Sequence, residues 1–382
     1  MEFSKRIIRL LGAYDFLMLG LILTLSAFGV LIIGSATGLG GGVRSGFFTS
    51  QIIWLSTGLL VMVFISMVDY RFICRFYIPL YVGGLSLLVL VALITPPGEV
   101  ARWLPLPLNL PSIQPSEFSK IFMLVFFAKY IDKMQEKIDN ILVVLSIVVM
   151  GIVPIFLVFQ QPSLSVSVLK LVILLVMVFM GGVKLRYILV PMAIAIPLMI
   201  FMIYDLGREE HIIVHHIFEP FQLERRIKPF FGINETPDNQ LQSLRSVQAL
   251  SSGQLTGRGL FGNVVRVPLA YNDFIFAVIG AEFGFAGSVA VILIIFMIVI
   301  KCFIAAHHSD SLCGKLLASG VGAMIGTQAF VHIGVTTMLL PNTGIPLPFV
   351  SAGGSSMWIN LVAIGLVINV GMKRAKSTIF AS

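Results

Sequence analysis

Charge is scarce in this chain. Of its 382 residues only 12% are Asp, Glu, Lys or Arg, about half the share of an ordinary soluble domain. Cysteine is nearly absent, and Cys74, Cys302 and Cys313 show no C-x-x-C spacing. That excludes a disulfide framework and a zinc site of the usual kind. No repeat of solenoid period is visible. What fills the chain instead is apolar: 57% of residues are hydrophobic and the mean hydropathy is +0.99. A water-soluble enzyme, a nucleic-acid binder and a disordered tail are all excluded as descriptions of the whole chain. The 26 bases outnumber the 18 acids. In a membrane protein that excess first orients the chain, and it indicates no nucleic-acid partner.

Ten apolar runs predict an all-α polytopic fold, at about 13–34, 50–68, 77–95, 115–131, 140–159, 164–181, 186–204, 274–301, 313–338 and 354–371. Each approaches the roughly 20 residues that cross about 30 Å of hydrocarbon. Helices are the expected form, because exposed backbone polar groups have no partner in lipid. The first run lacks the features of a cleaved signal peptide and reads as a mature helix. With the N-terminus in the cytoplasm, the inside segments hold 15 Lys and Arg residues, while the short outside loops hold only Arg44 and Arg102. This bias predicts cytoplasmic N- and C-termini. The three cysteines then fall on the reducing side. The whole chain, 1–382, reads as one integral membrane domain. Within it, 205–273 forms a large extracytoplasmic loop between the seventh and eighth runs, with amphipathic stretches at Ile212–Arg226 and Leu241–Leu250. Loops this long are usually functional or disordered.

Ionisable residues inside spans are costly and mark candidate sites. Glu117 and Lys120, at i and i+3, share one helix face and can neutralise each other. They serve either a site or helix packing alone. Lys170 lies about two turns into its run, and its long stem predicts snorkelling to the surface. Glu282, in the Gly-rich stretch 280–287, is expected to bond a neighbouring helix or face a cavity. His332 reads as a buried hydrogen-bonding histidine. The triplet His211, His215 and His216 has no third metal ligand at fixed spacing. Asp273 stands where the loop meets apolar helix, and the position predicts an N-cap whose carboxylate keeps free lone pairs. Gly257-Arg258-Gly259 could hold phosphate oxygens through backbone N–H groups and the guanidinium. It has no downstream Lys-Ser/Thr of a P-loop.

Two proline-marked segments also stand out. Leu110–Glu117 leads into the fourth run, and Pro341–Ser356 leads into the tenth. Gln114-Pro115-Ser116-Glu117, Asn272-Asp273-Phe274-Ile275-Phe276, and Thr343-Gly344-Ile345-Pro346-Leu347-Pro348-Phe349 with Gly353-Gly354-Ser355-Ser356 resemble the RodA/FtsW (SEDS) proteins. The resemblance runs over nearly the whole chain, in order. It implies a peptidoglycan glycosyltransferase that polymerises lipid II at the outer face of the bacterial inner membrane, in division or elongation, beside a class B penicillin-binding protein. It implies that Asp273 is the essential acid, that Glu117 and Lys120 are the polar pair of a cavity, and that Arg102-Trp103 matches the family's Arg-Trp. Two departures are evident. Ser163 replaces the family's Asp in Gln-Pro-Asp, and Gln254 replaces the last glycine of a Ser-Gly-Gly stretch.

The chemistry implied is attack of a sugar hydroxyl on an anomeric carbon bearing a lipid pyrophosphate, with inversion. Asp273 is the expected general base. Arg102, Lys120, Arg226 and Arg258 are expected to hold the anionic leaving group, with Gln114, Glu117 and Ser355 lining the substrate site. A divalent cation, magnesium or manganese, could supply part of this charge, although no dedicated metal cage is visible. A lipid II flippase and a non-catalytic scaffold of the cell-wall machinery are the rival readings. The clustering of ionisable residues toward one face favours chemistry there over a continuous polar route.

Overall fold

The structure, a computed structural model, describes residues 14–37, 45–95, 102–104, 112–161, 163–190, 193, 197, 201, 237–262, 267–268, 270–342 and 344–380. Its helices are, in order, α1 (Phe16–Thr37), α2 (Ser45–Met67), the short α3 (Tyr70–Arg75), α4 (Tyr77–Ile94), α5 (Pro115–Lys133), α6 (Ile141–Gln160), α7 (Leu164–Met180), α8 (Pro237–Ser252), α9 (Ile275–His307), α10 (Leu312–Thr336) and α11 (Gly354–Phe380). Among the described residues there is no β-strand, only an isolated bridge between Leu104 and Ile113.

Seven of these helices, α1, α2, α4, α6, α9, α10 and α11, are long and apolar enough to cross a membrane. The chain is a multi-pass membrane protein. Helix α7 is apolar but has 17 residues. Helix α5 carries Glu117, Lys120, Lys129, Asp132 and Lys133, which lower its hydropathy. The expected run at 186–204 is helical at 186–190, 193, 197 and 201 and otherwise lies outside the described residues. The amphipathic stretch Leu241–Leu250 is helical within α8, whereas Ile212–Arg226 lies outside the described residues.

Local chemistry sets several helix ends. Asn140 accepts the Leu142 N–H before α6 at 2.9 Å, and Ser311 accepts the Gly314 N–H before α10 at 3.1 Å. Pro115 opens α5 at a position whose N–H has no helical partner. Helices α10 and α11 form the centre: 78% and 83% of their most apolar stretches are buried, against 17% for α2 and α4. Small residues allow the close approach, as lipid-embedded packing requires. A Cβ on Gly320 of α10 would lie 2.4 Å from the Leu124 side chain of α5 and 3.1 Å from Met177 Sδ of α7.

Helix α9 is interrupted. Its 33 residues would run about 50 Å if straight, well beyond the hydrocarbon thickness. At Gly284 the backbone turns to φ 64° and ψ −160°. The break removes the helical bonds from Phe285 and Ala286 to Ala281 and Glu282. The loop after α8 replaces them. Arg258 and Gly259 donate N–H groups to the Ala281 and Glu282 carbonyls at 3.1 and 2.9 Å. Phe285 and Ala286 donate to the Gln254 and Leu255 carbonyls at 2.8 and 3.0 Å. The four backbone groups that the break frees are thus all paired, which is the condition for irregular chain at membrane depth. Gly257 makes the approach possible, since a Cβ there would stand 2.1 Å from the Glu282 carbonyl oxygen.

Candidate functional site

The buried half of α9 before Gly284 begins just after Asp273. Phe274, through Glu282, is almost fully enclosed, while Tyr271, Asn272 and Asp273 are half-buried at its end. The expected N-cap is corrected here. The cap residue of α9 is Phe274, the helix starts at Ile275, and no side chain caps it. A carboxylate two residues ahead of the first helical residue lies outside capping register.

What fixes Asp273 is the proline-rich segment before α11. Ala352 donates its N–H to the Tyr271 carbonyl at 2.9 Å. The Ser351 hydroxyl donates to the Asn272 carbonyl at 2.7 Å and accepts the Leu347 N–H at 2.8 Å. The prolines leave this segment unable to pair like a strand, so side chains satisfy its carbonyls. His332 Nδ1 donates to Ile345 O at 2.7 Å, and Gln328 donates to Pro346 O at 3.0 Å. The expectation of a buried hydrogen-bonding His332 is met. Gln51 of α2 clamps the segment from the other side: its amide donates to Ser351 O and its carbonyl accepts the Gly353 N–H, both at 3.3 Å. Phe349, fully buried, adopts φ 64°, a costly conformation for an aromatic residue that the surrounding contacts must hold. Gly344, at φ 68°, lies against the carboxylate: a Cβ there would be 3.5 Å from Asp273 Oδ2.

Arg102 reaches the same place. The Leu104–Ile113 bridge, with bonds of 2.8 and 3.1 Å, folds the Arg102-Trp103 stretch back beside the start of α5. Burial lowers the Arg102 pKa, and the neighbouring Asp273 carboxylate opposes that shift. The Gln114 N–H donates to Ser355 Oγ at 3.2 Å, tying the start of α5 to α11. One turn inward, Lys120 pairs with Glu117 at 2.8 Å, with both side chains almost wholly buried. The structure therefore brings Asp273, Arg102, Gln114, Ser355, Glu117 and Lys120 to one end of the bundle.

Other expectations fare differently. Arg226 lies outside the described residues. Arg258 is exposed, its Nε donates to Ser252 O at 3.0 Å, and its backbone N–H is engaged by α9. Its glycine-rich loop thus spends two N–H groups on a helix break. Glu282 accepts a hydrogen bond from Ser35 of α1, meeting the expectation of a bond to a neighbouring helix. Lys170 does not snorkel. It is completely buried and donates to Ser119 Oγ at 2.5 Å. The three cysteines are free thiols, all buried. Ser163 precedes α7 and makes no side-chain cap bond. Gln51 and Ser351 carry the support of Asp273, and neither stands out in the sequence. Ser351 lies in a segment that does, whereas Gln51 is 300 residues from its partner.

Comparisons with known proteins bear on the family and the fold. The family model for the cell cycle proteins FtsW, RodA and SpoVE matches residues 15–376. A probable peptidoglycan glycosyltransferase FtsW from Trichlorobacter lovleyi is 30% identical over 383 residues, covering 96% of each chain. The Bacillus subtilis protein of the same name is 28% identical over 383 residues, covering 95% of this chain and 92% of its own. Among solved structures, a chain from a peptidoglycan synthase complex superposes with a TM-score of 0.77 at 24% identity, covering 94% of this chain and 98% of its own. The rod shape determining protein RodA of Thermus thermophilus superposes with a TM-score of 0.67 at 24% identity, covering 94% and 97%. At that identity the two structures speak for the fold alone, and the sequence matches speak for descent. The chain belongs to the FtsW/RodA/SpoVE family of cell cycle proteins.

Proposed function

We propose that this chain is a peptidoglycan glycosyltransferase that polymerises lipid II at the outer face of the bacterial inner membrane. The accompanying topology is ten spans, both termini in the cytoplasm and the 205–273 loop outside. The observation that carries the proposal is the half-buried Asp273 carboxylate, beside Arg102, on a backbone clamped by the segment before α11. A general base must be accessible yet held within about 2.6–3.2 Å of the proton it takes, and a half-buried residue on rigid backbone meets both needs.

In this reading Asp273 takes the proton of the acceptor sugar hydroxyl as its oxygen attacks the anomeric carbon of the donor. The bond from that carbon to the pyrophosphate oxygen breaks, and configuration inverts. The leaving pyrophosphate gains negative charge, so cations must await it. Arg102 is a cation whose charge and that of Asp273 act on one another, and a planar guanidinium suits bidentate phosphate binding. The lipid tails remain between helices. Support for a penicillin-binding partner comes from the fold's likeness to a chain of a peptidoglycan synthase complex, in which polymerization and crosslinking are coordinated.

The test is glycan-chain synthesis from lipid II by the purified chain, alone and with its cognate class B penicillin-binding protein. Wild type should yield polymer, and Asp273→Asn, which keeps the shape and removes the base, should yield none while melting normally. Lipid II translocation by a folded protein that forms no polymer would replace this reading with the flippase.

A further inference from the structure

The depth of the break at Gly284 can be read along α9 itself. Farther on, Lys301 pairs with Asp15 at 2.9 Å, and both side chains are partly exposed. Charged groups sit where water reaches them, so this pair marks the membrane boundary on the side away from Asp273. Gly284 stands 17 residues before Lys301, about 26 Å along a helix. The hydrocarbon is about 30 Å thick. The break therefore lies at or just below the opposite boundary. Helix α10 gives a second ruler. A Cβ on Gly322 would lie 3.1 Å from Cys302 Cβ, so Gly322 is level with the Lys301 region of α9. Thr336 is 14 residues beyond Gly322, about 21 Å farther up. Its carbonyl accepts the Ser246 hydroxyl of α8 at 2.8 Å. The middle of α8 and the loop that meets the break are both within the hydrocarbon thickness, although the sequence assigns them to a loop outside it.

Their surface suits that place. Leu244 and Val247 of α8 are 45% and 36% exposed, and Leu255 and Phe261 of the loop are 66% and 55% exposed. Phe285, whose N–H is donated to Gln254 O, is exposed beside them. Seven and eleven residues on, Ile292 and Phe296 continue the same face of α9. That helix is long and apolar enough to cross a membrane, so its exposed face meets lipid, and the loop extends that face without a gap. Arg258 is the only charged residue in 246–262, where a solvated stretch of that length carries about four. The N–H groups of Gly253, Gln254, Gly257, Arg258, Gly259 and Gly262 are all hydrogen-bonded, as contact with hydrocarbon demands.

We propose that the exposed face of α8 and residues 254–261 are immersed in the bilayer leaflet on the Asp273 side, with Leu255 and Phe261 among phospholipid acyl chains. Arg258, exposed on the same loop, has a stem long enough to bring its guanidinium up to the lipid phosphates. Phe261 holds φ 64°, disfavoured for an aromatic residue, and burial of its ring in hydrocarbon offsets that cost. The inference stands on depth and exposure, and it holds whether or not the chain polymerises lipid II.

The test places a nitroxide label on single cysteines in the full chain, in nanodiscs of phosphatidylcholine and phosphatidylglycerol. The three native thiols are buried, and the unsubstituted chain checks that they stay unlabelled. Leu255→Cys and Phe261→Cys report on the loop. Ile292→Cys is the lipid-facing reference and Glu136→Cys, exposed on the turn after α5, the water-facing one. Collisions with oxygen, which concentrates in hydrocarbon, and with a water-soluble nickel chelate are read by electron paramagnetic resonance. The labels at 255 and 261 should meet oxygen and exclude the chelate, as the label at 292 does. A label at either position that meets the chelate as readily as the label at 136 overturns the proposal, because the loop then lies in water. Exclusion of both reagents overturns it too, because protein then covers this face. All four substitutions replace surface side chains, and a thermal melt confirms that each labelled chain is folded.

Discussion

Removing one hydroxyl should separate the support of Asp273 from its chemistry. Ser351 joins the proline-rich segment to the chain before α9 through two bonds, at 2.7 Å to the Asn272 carbonyl and 2.8 Å from the Leu347 N–H. Ser351→Ala deletes both. Leu347 is 1% exposed, so its N–H loses its acceptor out of reach of water, at about 1–3 kcal/mol. Asn272 is half-buried, so water can replace much of the second bond. The expected loss of stability is therefore about 2 kcal/mol. The larger effect is on rate, because a displacement of about 1 Å at a reacting group costs on the order of a hundredfold. Polymerisation of fluorescent lipid II, followed beside a thermal melt, reads both quantities. Turnover should fall more than the affinity for lipid II, and Ser351→Thr, which keeps a hydroxyl, should recover part of it. Wild-type turnover in folded Ser351→Ala would refute the argument that this bond holds Asp273 in place.

Three further outcomes follow from the packing. Gly29→Ala puts a Cβ 2.7 Å from Val350 Cα, so the segment before α11 must shift; polymerisation should drop at least about tenfold, measured at matched protein levels. Gln254 holds φ 49°, a left-handed conformation that favours glycine, so Gln254→Gly should raise stability by about 1 kcal/mol in a melt. Glu117→Gln leaves buried Lys120 without its paired carboxylate, costing about 3–5 kcal/mol. Glu117→Gln combined with Lys120→Met should regain much of that, as a melt of the double variant would show.

Most of the bundle is legible in the sequence because lipid permits few solutions. Long apolar runs become helices, and the helices α1, α2, α4, α6, α9, α10 and α11 follow them. Local signals also serve: Asn140 and Ser311 begin helices as their residue types predict. Legibility fails where a partner lies far along the chain. Lys170 suggests snorkelling by its stem length, yet Ser119, 51 residues away, holds it inside. Asp273 has the look of a cap, but the cap of α9 is Phe274, one residue later, and the chain before it is held by the distant Ser351 and Ala352. The break at Gly284 is hidden because glycine in an apolar run marks a close approach as readily as an interruption. Asp273 itself is visible through its motif, while Gln51 is visible only through contacts.

The exchange of two helical bonds for four loop bonds at Gly284 has a mechanical meaning. Straightening α9 would regain the two and forfeit the four, so the bend is locked, and the lock is the stretch 254–259. Residues 275–283 are thereby spliced to the chain after α8 as firmly as to the rod that continues to His307. Whatever grips α8 from outside holds a handle on the short helix that begins beside Asp273.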